Sequence, residues 1–164
     1  MSQPLNDADL EARLWKEIDH VKTVMLGLVG GPHMQPMTGF AVQPDGTVWF
    51  YLRKDNDLIK QAGPGGKPAM FRLLTRDHGF IACVGGTVAE HYDRDRIARF
   101  WNPMVAAWFP DGKEDPELTL LRFTPEDAQV WVSQSNPVSF GFALAKAKLS
   151  KTVPDVGASA HIDL

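Results

Sequence analysis

The chain has 164 residues, of which 44% are hydrophobic and 23% are charged, a composition typical of one globular domain. A net charge of −3 with dispersed lysines and arginines provides no attraction for nucleic acid or for an anionic membrane, so we expect neither as a partner. Cys83 is the single cysteine, which excludes an intramolecular disulfide, and no apolar stretch reaches membrane-spanning length. Residues 1–9 lack the pattern of a signal peptide, and we expect a cytoplasmic protein.

The N-terminal segment has the spacing of an amphipathic helix. Its apolar residues recur every three or four positions, and Asn6 or Asp7 precedes them as an N-cap. The apolar stripe consists of Leu10, Leu14, Ile18 and Val21.

Five strands are predicted between this helix and residue 90. Residues 43–46, Gln-Pro-Asp-Gly, predict a hairpin turn between the second and third strands. Residues 75–78 join the fourth strand to the fifth, where Gly85 and Gly86 indicate a bulge that curves the sheet. The five predicted strands are 23–29, 37–42, 47–52, 68–74 and 79–90.

An aromatic segment follows the fifth strand. Asp93 is the expected cap of a helix, and Pro103 would interrupt that helix, so we predict two short helices that meet at Asn102. Two strands, 118–124 and 128–133, are predicted to follow, around a turn at 125–127. The helical stripe, interpreted as packing against the strands, consists of Ile97, Trp101, Met104 and Trp108.

These elements predict a mainly β fold, a small antiparallel barrel with peripheral helices. We expect one domain over residues 1–164, with the barrel at about 21–133 and a C-terminal tail at 134–164. Four apolar side chains of the tail could dock on the body of the protein. They are Phe140, Phe142, Leu144 and Leu149.

Common catalytic signatures are absent. The sequence has no Gly-x-Ser-x-Gly motif, and its five histidines and one cysteine lack the spacing of metal ligands. We therefore expect no metal site and assign no residue as a catalytic acid or base.

The third predicted strand and the strand before it carry the candidate binding site. Aromatic and apolar strand residues could support a flat heterocycle, and the basic side chains that follow could bind a phosphate. Asn56 and Asp57 could accept from sugar hydroxyls or cap the next helix, and the alternative to a pocket is a solvated strand end. The candidate residues are Gln35, Pro36, Met37, Thr38, Phe50, Tyr51, Leu52, Arg53, Lys54, Asn56, Asp57 and Lys60.

At these residues the sequence resembles the pyridoxamine 5′-phosphate oxidase-like superfamily of FMN-binding split barrels, and its general stress protein branch most. The resemblance rests on the Pro36-Met37 strand, the Trp-Phe-Tyr run within 47–52 and the Gly-Gly-Thr-Val strand at 85–88. The aromatic segment 100–116 and the strands after it continue the match, which spans most of residues 24–133.

This resemblance implies a six-stranded antiparallel split barrel with an N-terminal helix and short helices after the fifth strand. It also implies a homodimer with two sites for FMN, or alternatively FAD, at the subunit interface. In such sites the two strand ends hold the isoalloxazine and the ribityl phosphate, and residues of the partner subunit, often aromatic, cover the other side. The region that contains Trp108, Phe109 and the turn at 111–116 lies near the flavin in this family.

Three positions depart from the family pattern. Gln35 stands where many members have arginine, Leu52 replaces a threonine, and Leu58 stands where a phosphate-binding lysine is usual. Arg53, Lys54 or Lys60 could compensate for the lost charge.

Three functions remain open from the sequence. The first is a flavin-binding stress-response protein with flavin redox chemistry, and the second is a flavin-dependent oxidoreductase that uses NAD(P)H. The third is a split barrel that binds another small ligand or a protein partner. Vitamin B6 oxidation is not expected, because the tail at 136–164 contains no arginine for the substrate phosphate.

Overall fold

The computed structural model describes residues 6–133, 137–155 and 157–164. Within these ranges the chain forms an eight-stranded antiparallel sheet and five α-helices. The helices are α1 (Asp7–Val21), α2 (Asp57–Ala62), α3 (Arg94–Phe100), α4 (Pro103–Ala106) and α5 (Pro137–Ser150). The strands are β1 (Thr23–Leu28), β2 (Gln35–Thr38), β3 (Phe40–Val42), β4 (Thr47–Arg53), β5 (Lys67–Leu74), β6 (Phe80–Glu90), β7 (Leu118–Ser133) and β8 (Gly157–Asp163).

Helix α1 begins where the sequence predicts it. The Asn6 side chain accepts a hydrogen bond from the Asp9 backbone N–H at 2.8 Å, which satisfies a donor that the first helical turn leaves free. Three residues of the predicted stripe turn inward and Trp15 joins them, whereas Val21 at the end of the helix is only half-buried. The helix thus covers part of the main core, where Leu10, Leu14 and Ile18 are all at most 2% exposed.

The sheet closes on itself through one short stretch of chain. Its strand order is β2-β1-β5-β6-β7-β4-β3, and the two end strands are separated in sequence by Gly39 alone. Residues 35–42 therefore pair with β1 through their first half and with β4 through their second half. A Cβ at Gly39 would lie 3.2 Å from a methyl group of Val48 and 3.3 Å from the Phe50 ring, so glycine permits this close approach.

The predicted mainly β, antiparallel barrel architecture is confirmed, with eight strands instead of six. The count rises because the break at Gly39 divides the 35–42 stretch into β2 and β3, and because β8 pairs with β7. Strand β8 was not predicted because its sequence lacks the alternation of apolar and polar residues that indicates a strand. Most of its side chains are small or polar, and Ile162 is its one buried apolar residue.

The predicted turn at 125–127 is wrong, because β7 runs unbroken from Leu118 to Ser133. The pairing with β6 changes register there, with Gly85 opposite Asp127 and Gly86 opposite Pro125. The bulge predicted at the two glycines is thus confirmed, and it lets β7 continue past a proline that has no N–H to donate. A Cβ at Gly86 would overlap the Thr124 carbonyl oxygen, so the register shift requires glycine at this position.

Strand β4 faces two apolar clusters. Val48, Phe50 and Leu52 point into the barrel core, whereas Trp49 and Tyr51 point outward. The outer cluster is covered by α3 and α4. It contains Val42, Trp49, Ile97, Val105, Phe109, Leu118 and Leu120.

The two short helices meet at Asn102, as predicted. The Asp93 side chain accepts from the Arg96 N–H at 3.0 Å and caps α3. The Asn102 side chain accepts from the Met104 and Val105 N–H groups at 2.9 and 3.0 Å, and Pro103 occupies the first position of α4.

The C-terminal tail attaches through β8, and among the described side chains of α5 only Ala147, at 6% exposed, is buried. The expected docking of the four larger apolar side chains is wrong, because Phe140, Phe142, Leu144 and Leu149 are 40%, 73%, 42% and 87% exposed. The backbone ladder between β7 and β8 and the burial of Ile162 hold the tail instead.

Tyr51 links the outer face of β4 to α3. Its hydroxyl donates to the Ile97 carbonyl oxygen at 2.6 Å, and its ring makes edge contacts with Phe40 and Trp101 at centroid distances of 5.4 and 6.1 Å. Burial raises the pKa of Tyr51 well above its usual value, because the phenolate would lose its hydration.

We expect Tyr51→Phe to lower the free energy of unfolding at pH 8 by about 1–2 kcal/mol, since the Ile97 carbonyl loses its side-chain donor. Above pH 10 the unfolded chain loses the Tyr51 proton while the folded chain retains it. The wild type should therefore lose stability faster than the variant as the pH rises above 10. Urea unfolding between pH 8 and 11.5 measures both effects.

Tyr92→Phe is the matched control, because Tyr92 is 51% exposed. Parallel pH profiles for the wild type and Tyr51→Phe would contradict the assignment of a half-buried Tyr51 that stays neutral in the folded protein.

Candidate functional site

A pocket of about 480 Å³ lies between the strand ends of β2 and β4 and the α4 region. A volume of this size is within the range of small-molecule and cofactor sites. The pocket is lined by Gln35, Pro36, Met37, Thr38, Phe40, Tyr51, Leu52, Arg53, Asp55, Asn56, Asn102, Met104, Val105, Trp108 and Phe109.

Polar side chains form one part of the pocket, which we call the polar end: Gln35, Arg53, Asp55 and Asn56. Asn56 donates from Nδ2 to Gln35 Oε1 at 3.3 Å, a contact between the β2 strand and the loop after β4. The Arg53 Nε lies 3.5 Å from Asp55 Oδ1. The barrel closure through residues 35–42 brings these groups together, although they are up to 21 positions apart in the sequence.

Aromatic and apolar side chains form the remaining walls. Tyr51 and Phe40 meet edge to face, and the Tyr51 hydroxyl is occupied by its bond to Ile97. Met104 and Trp108 belong to the wall contributed by α4 and the residues after it, yet each is 70% exposed. Two large apolar side chains are therefore open to solvent beside the pocket.

Most of the candidate residues named from the sequence meet in this pocket. Nine line it, and four do not. The nine are Gln35, Pro36, Met37, Thr38, Tyr51, Leu52, Arg53, Asn56 and Trp108.

The four residues outside the lining have clear structural reasons. Phe50 alternates into the barrel core and is fully buried there. Lys54 is exposed, with its backbone N–H bonded to the Glu117 carbonyl at 2.8 Å. Asp57 and Lys60 lie on exposed positions of α2, whose buried side faces the core.

Five further lining residues were not among the sequence candidates. They are Phe40, Asp55, Asn102, Met104 and Val105. Two signals in the sequence could have found them. Asp55 lies inside the polar run between Arg53 and Asn56, and the Asn102-Pro103 pair fixes where α4 starts. Phe109, which belongs to the region that the family resemblance places near the flavin, also lines the pocket, whereas the turn at 111–116 does not.

The helical stripe of the aromatic segment divides into two roles. Ile97 is 2% exposed and Trp101 packs against the outer cluster, as the stripe predicts. Met104 and Trp108 do not pack against the strands, because the chain breaks at Asn102 and turns their side chains toward the pocket mouth and solvent.

The lining chemistry suits binding more than proton transfer. Asn56 Oδ1 caps α2 by accepting from the Leu58 N–H at 2.8 Å, which confirms the capping role anticipated for it. The Tyr51 hydroxyl is committed to Ile97, and burial raises its pKa. Among the described residues no cluster of three or more His, Cys, Asp or Glu side chains is arranged to hold a metal.

In the described part of the chain, no helix has the length and apolar character that a membrane span requires.

Comparison with known proteins identifies the family. Residues 9–155 match the model of the pyridoxamine 5′-phosphate oxidase-like family. The chain is 29% identical over 142 residues to general stress protein 26 of Bacillus subtilis, covering 82% of this chain and 98% of that protein.

Two crystal structures have the same fold. One, from Jannaschia sp. CCS1, is described as a candidate general stress protein 26; it has a TM-score of 0.83 and 32% identity and covers 96% of this chain and 99% of its own. The other is described as a general stress FMN/FAD binding protein from Xanthomonas citri; it has a TM-score of 0.72 and 36% identity and covers 79% and 92% of the two chains. The barrel, the strand-end pocket and these relatives together show that the chain belongs to the pyridoxamine 5′-phosphate oxidase-like family, within its general stress protein 26 group.

Proposed function

We propose that this protein binds a flavin, FMN or alternatively FAD, in the pocket between β2, β4 and α4. The observation that carries the proposal is the composition of this pocket, which joins an aromatic and apolar wall to a polar end with a single guanidinium. The Xanthomonas citri relative, described as FMN/FAD binding, supports the same ligand.

The residues present fit a flavin. Phe40, Tyr51 and Trp108 offer apolar and aromatic surface against which an isoalloxazine ring can pack. Gln35 and Asn56 offer amide groups for ribityl hydroxyls, and Arg53 offers charge-assisted hydrogen bonds for a phosphate. A pocket of about 480 Å³ is large enough for a cofactor of this class.

A bound flavin supplies hydride and single-electron transfer, and the side chains of this protein bind and orient it. Tyr51 holds a neutral hydroxyl on the Ile97 carbonyl and keeps the aromatic wall in place. Flavin redox activity in a stress response is therefore the function we favour.

The alternative of an oxidoreductase that uses NAD(P)H is tested by turnover of the FMN-loaded protein with NADH or NADPH and an electron acceptor.

The same proposal includes a homodimer with the flavin at its interface. Met104 and Trp108 border the pocket and are each 70% exposed in the protomer, a costly arrangement for two large apolar side chains. A partner subunit that packs over the pocket mouth would cover both.

The cytoplasmic location inferred from the single cysteine also remains a prediction, and cell fractionation tests it.

FMN titration tests the flavin proposal directly. We expect FMN fluorescence to be quenched and its absorbance bands to shift on binding to the wild type. Arg53→Ala should weaken binding at least about fivefold, because Arg53 is the cation at the polar end of the pocket.

Lys54→Ala is the matched control, since Lys54 is the next residue in the chain but lies outside the lining. Its affinity for FMN should remain within about twofold of the wild type. An unchanged flavin spectrum at excess protein would sink the flavin proposal, and equal losses in the two variants would contradict the placement of the phosphate.

The dimer is tested by light scattering after size-exclusion chromatography. We expect a mass of twice the 18.2 kDa protomer, and Met104→Glu should weaken the dimer at least about tenfold by placing a carboxylate in an apolar interface. Tyr92→Glu, at a 51% exposed position away from the pocket lining, should leave the mass unchanged. A monomer at micromolar concentration would refute the dimer.

A further inference from the structure

We propose that the pocket recognises a flavin by its ring and ribityl chain and gains little affinity from the terminal phosphate, and that Asp55 sets this preference. The inference rests on the proposed flavin binding and goes beyond it. It predicts that riboflavin, which has no phosphate, binds nearly as well as FMN.

The charges that line the pocket cancel. Arg53 is the one lysine, arginine or histidine among the described lining residues, and Asp55 is the one carboxylate among them. Their contact is direct, with Arg53 Nε and Asp55 Oδ1 3.5 Å apart. A phosphate near the guanidinium would therefore lie near the carboxylate as well.

Other basic residues of the region do not reinforce Arg53. Lys54 and Lys60 are exposed and lie outside the lining. Leu58, at the position after Asp57, is 3% exposed and packs into the barrel core as part of α2. The buried side of α2 thus faces the barrel core, and the helix contributes no side chain and no cation to the pocket lining.

The other two side chains of the polar end, Gln35 and Asn56, are uncharged amides. Gln35 and Asn56 bond to each other at 3.3 Å and retain further amide donors and acceptors. Uncharged amides can exchange hydrogen bonds with the hydroxyl groups of a ribityl chain. Because these hydroxyl groups are neutral, the charges of Arg53 and Asp55 neither attract nor repel them strongly.

Electrostatics then decides between the ligands. A phosphate monoester carries about −1.5 to −2 charges at pH 7, so Arg53 attracts it and Asp55 repels it. Both side chains are partly exposed, at 40% and 65%, and solvent screens each interaction. We expect the dissociation constants of FMN and riboflavin to agree within about tenfold.

The test is a fluorescence titration of the flavin-free full-length protein with FMN and with riboflavin in low-salt buffer at pH 7.5. Agreement within about tenfold supports the inference, and FMN binding more than about tenfold tighter overturns it while leaving the flavin proposal intact. Failure of both ligands to bind overturns the flavin proposal and this inference together.

Asp55→Asn tests the role of the carboxylate. Removing the repulsion should tighten FMN binding about three- to fivefold and leave riboflavin binding unchanged, and the gain should shrink at high salt. Arg53→Ala should have the opposite effect, making FMN bind more weakly than riboflavin.

Glu17→Gln is the matched control, because Glu17 lies 3.5 Å from an arginine Nε, that of Arg13, on α1. It should alter neither affinity. Equal changes for FMN and riboflavin in Asp55→Asn, or no change for either ligand, would overturn the assignment of Asp55.

Discussion

Residues 35–42 pair with two different strands, and the barrel and its pocket both follow from this double pairing. One stretch of eight residues bonds to β1 through its first half and to β4 through its second half, and this closes the sheet. Gly39 sits at the change of partner, where a Cβ would press on Val48 and Phe50. The closure places the end of β2 beside the end of β4, and the pocket forms at that junction.

Strand alternation then gives the two faces of β4 different tasks. Phe50 and its inward neighbours fill the barrel, whereas Tyr51 faces the helices and the pocket. The outer cluster is a second, smaller core, and it holds α3 and α4 against the barrel. Asn102 caps α4 directly after the break, which sets the direction in which Met104 and Trp108 leave the body. The pocket is thus framed by the ends of β2 and β4 and by one short helix whose N-terminus is capped.

Local sequence signals predicted the elements well, because caps, turns and alternation act over a few residues. Asn6, Asp93 and Asn102 each cap a helix where the sequence indicates. The prediction failed at Pro125, where a bulge opposite the paired glycines lets a strand run through a turn-like sequence. It also failed for the tail, since whether an apolar side chain such as Phe142 is covered depends on a neighbouring surface and not on local pattern.

The mainly β class and the capped helices could be predicted from the amino-acid sequence, because they follow from short-range periodicity and from residue types at fixed spacing. The order of motifs along the chain carried the family resemblance, and polar and aromatic residues at the strand ends predicted most of those that meet in the pocket. Which side chains share the site followed from the three-dimensional arrangement. Side-chain direction turned Lys54 away from the pocket and brought Asp55 against Arg53, whereas barrel closure joined Gln35 to Asn56, 21 positions apart in the chain, and no local pattern encodes that contact.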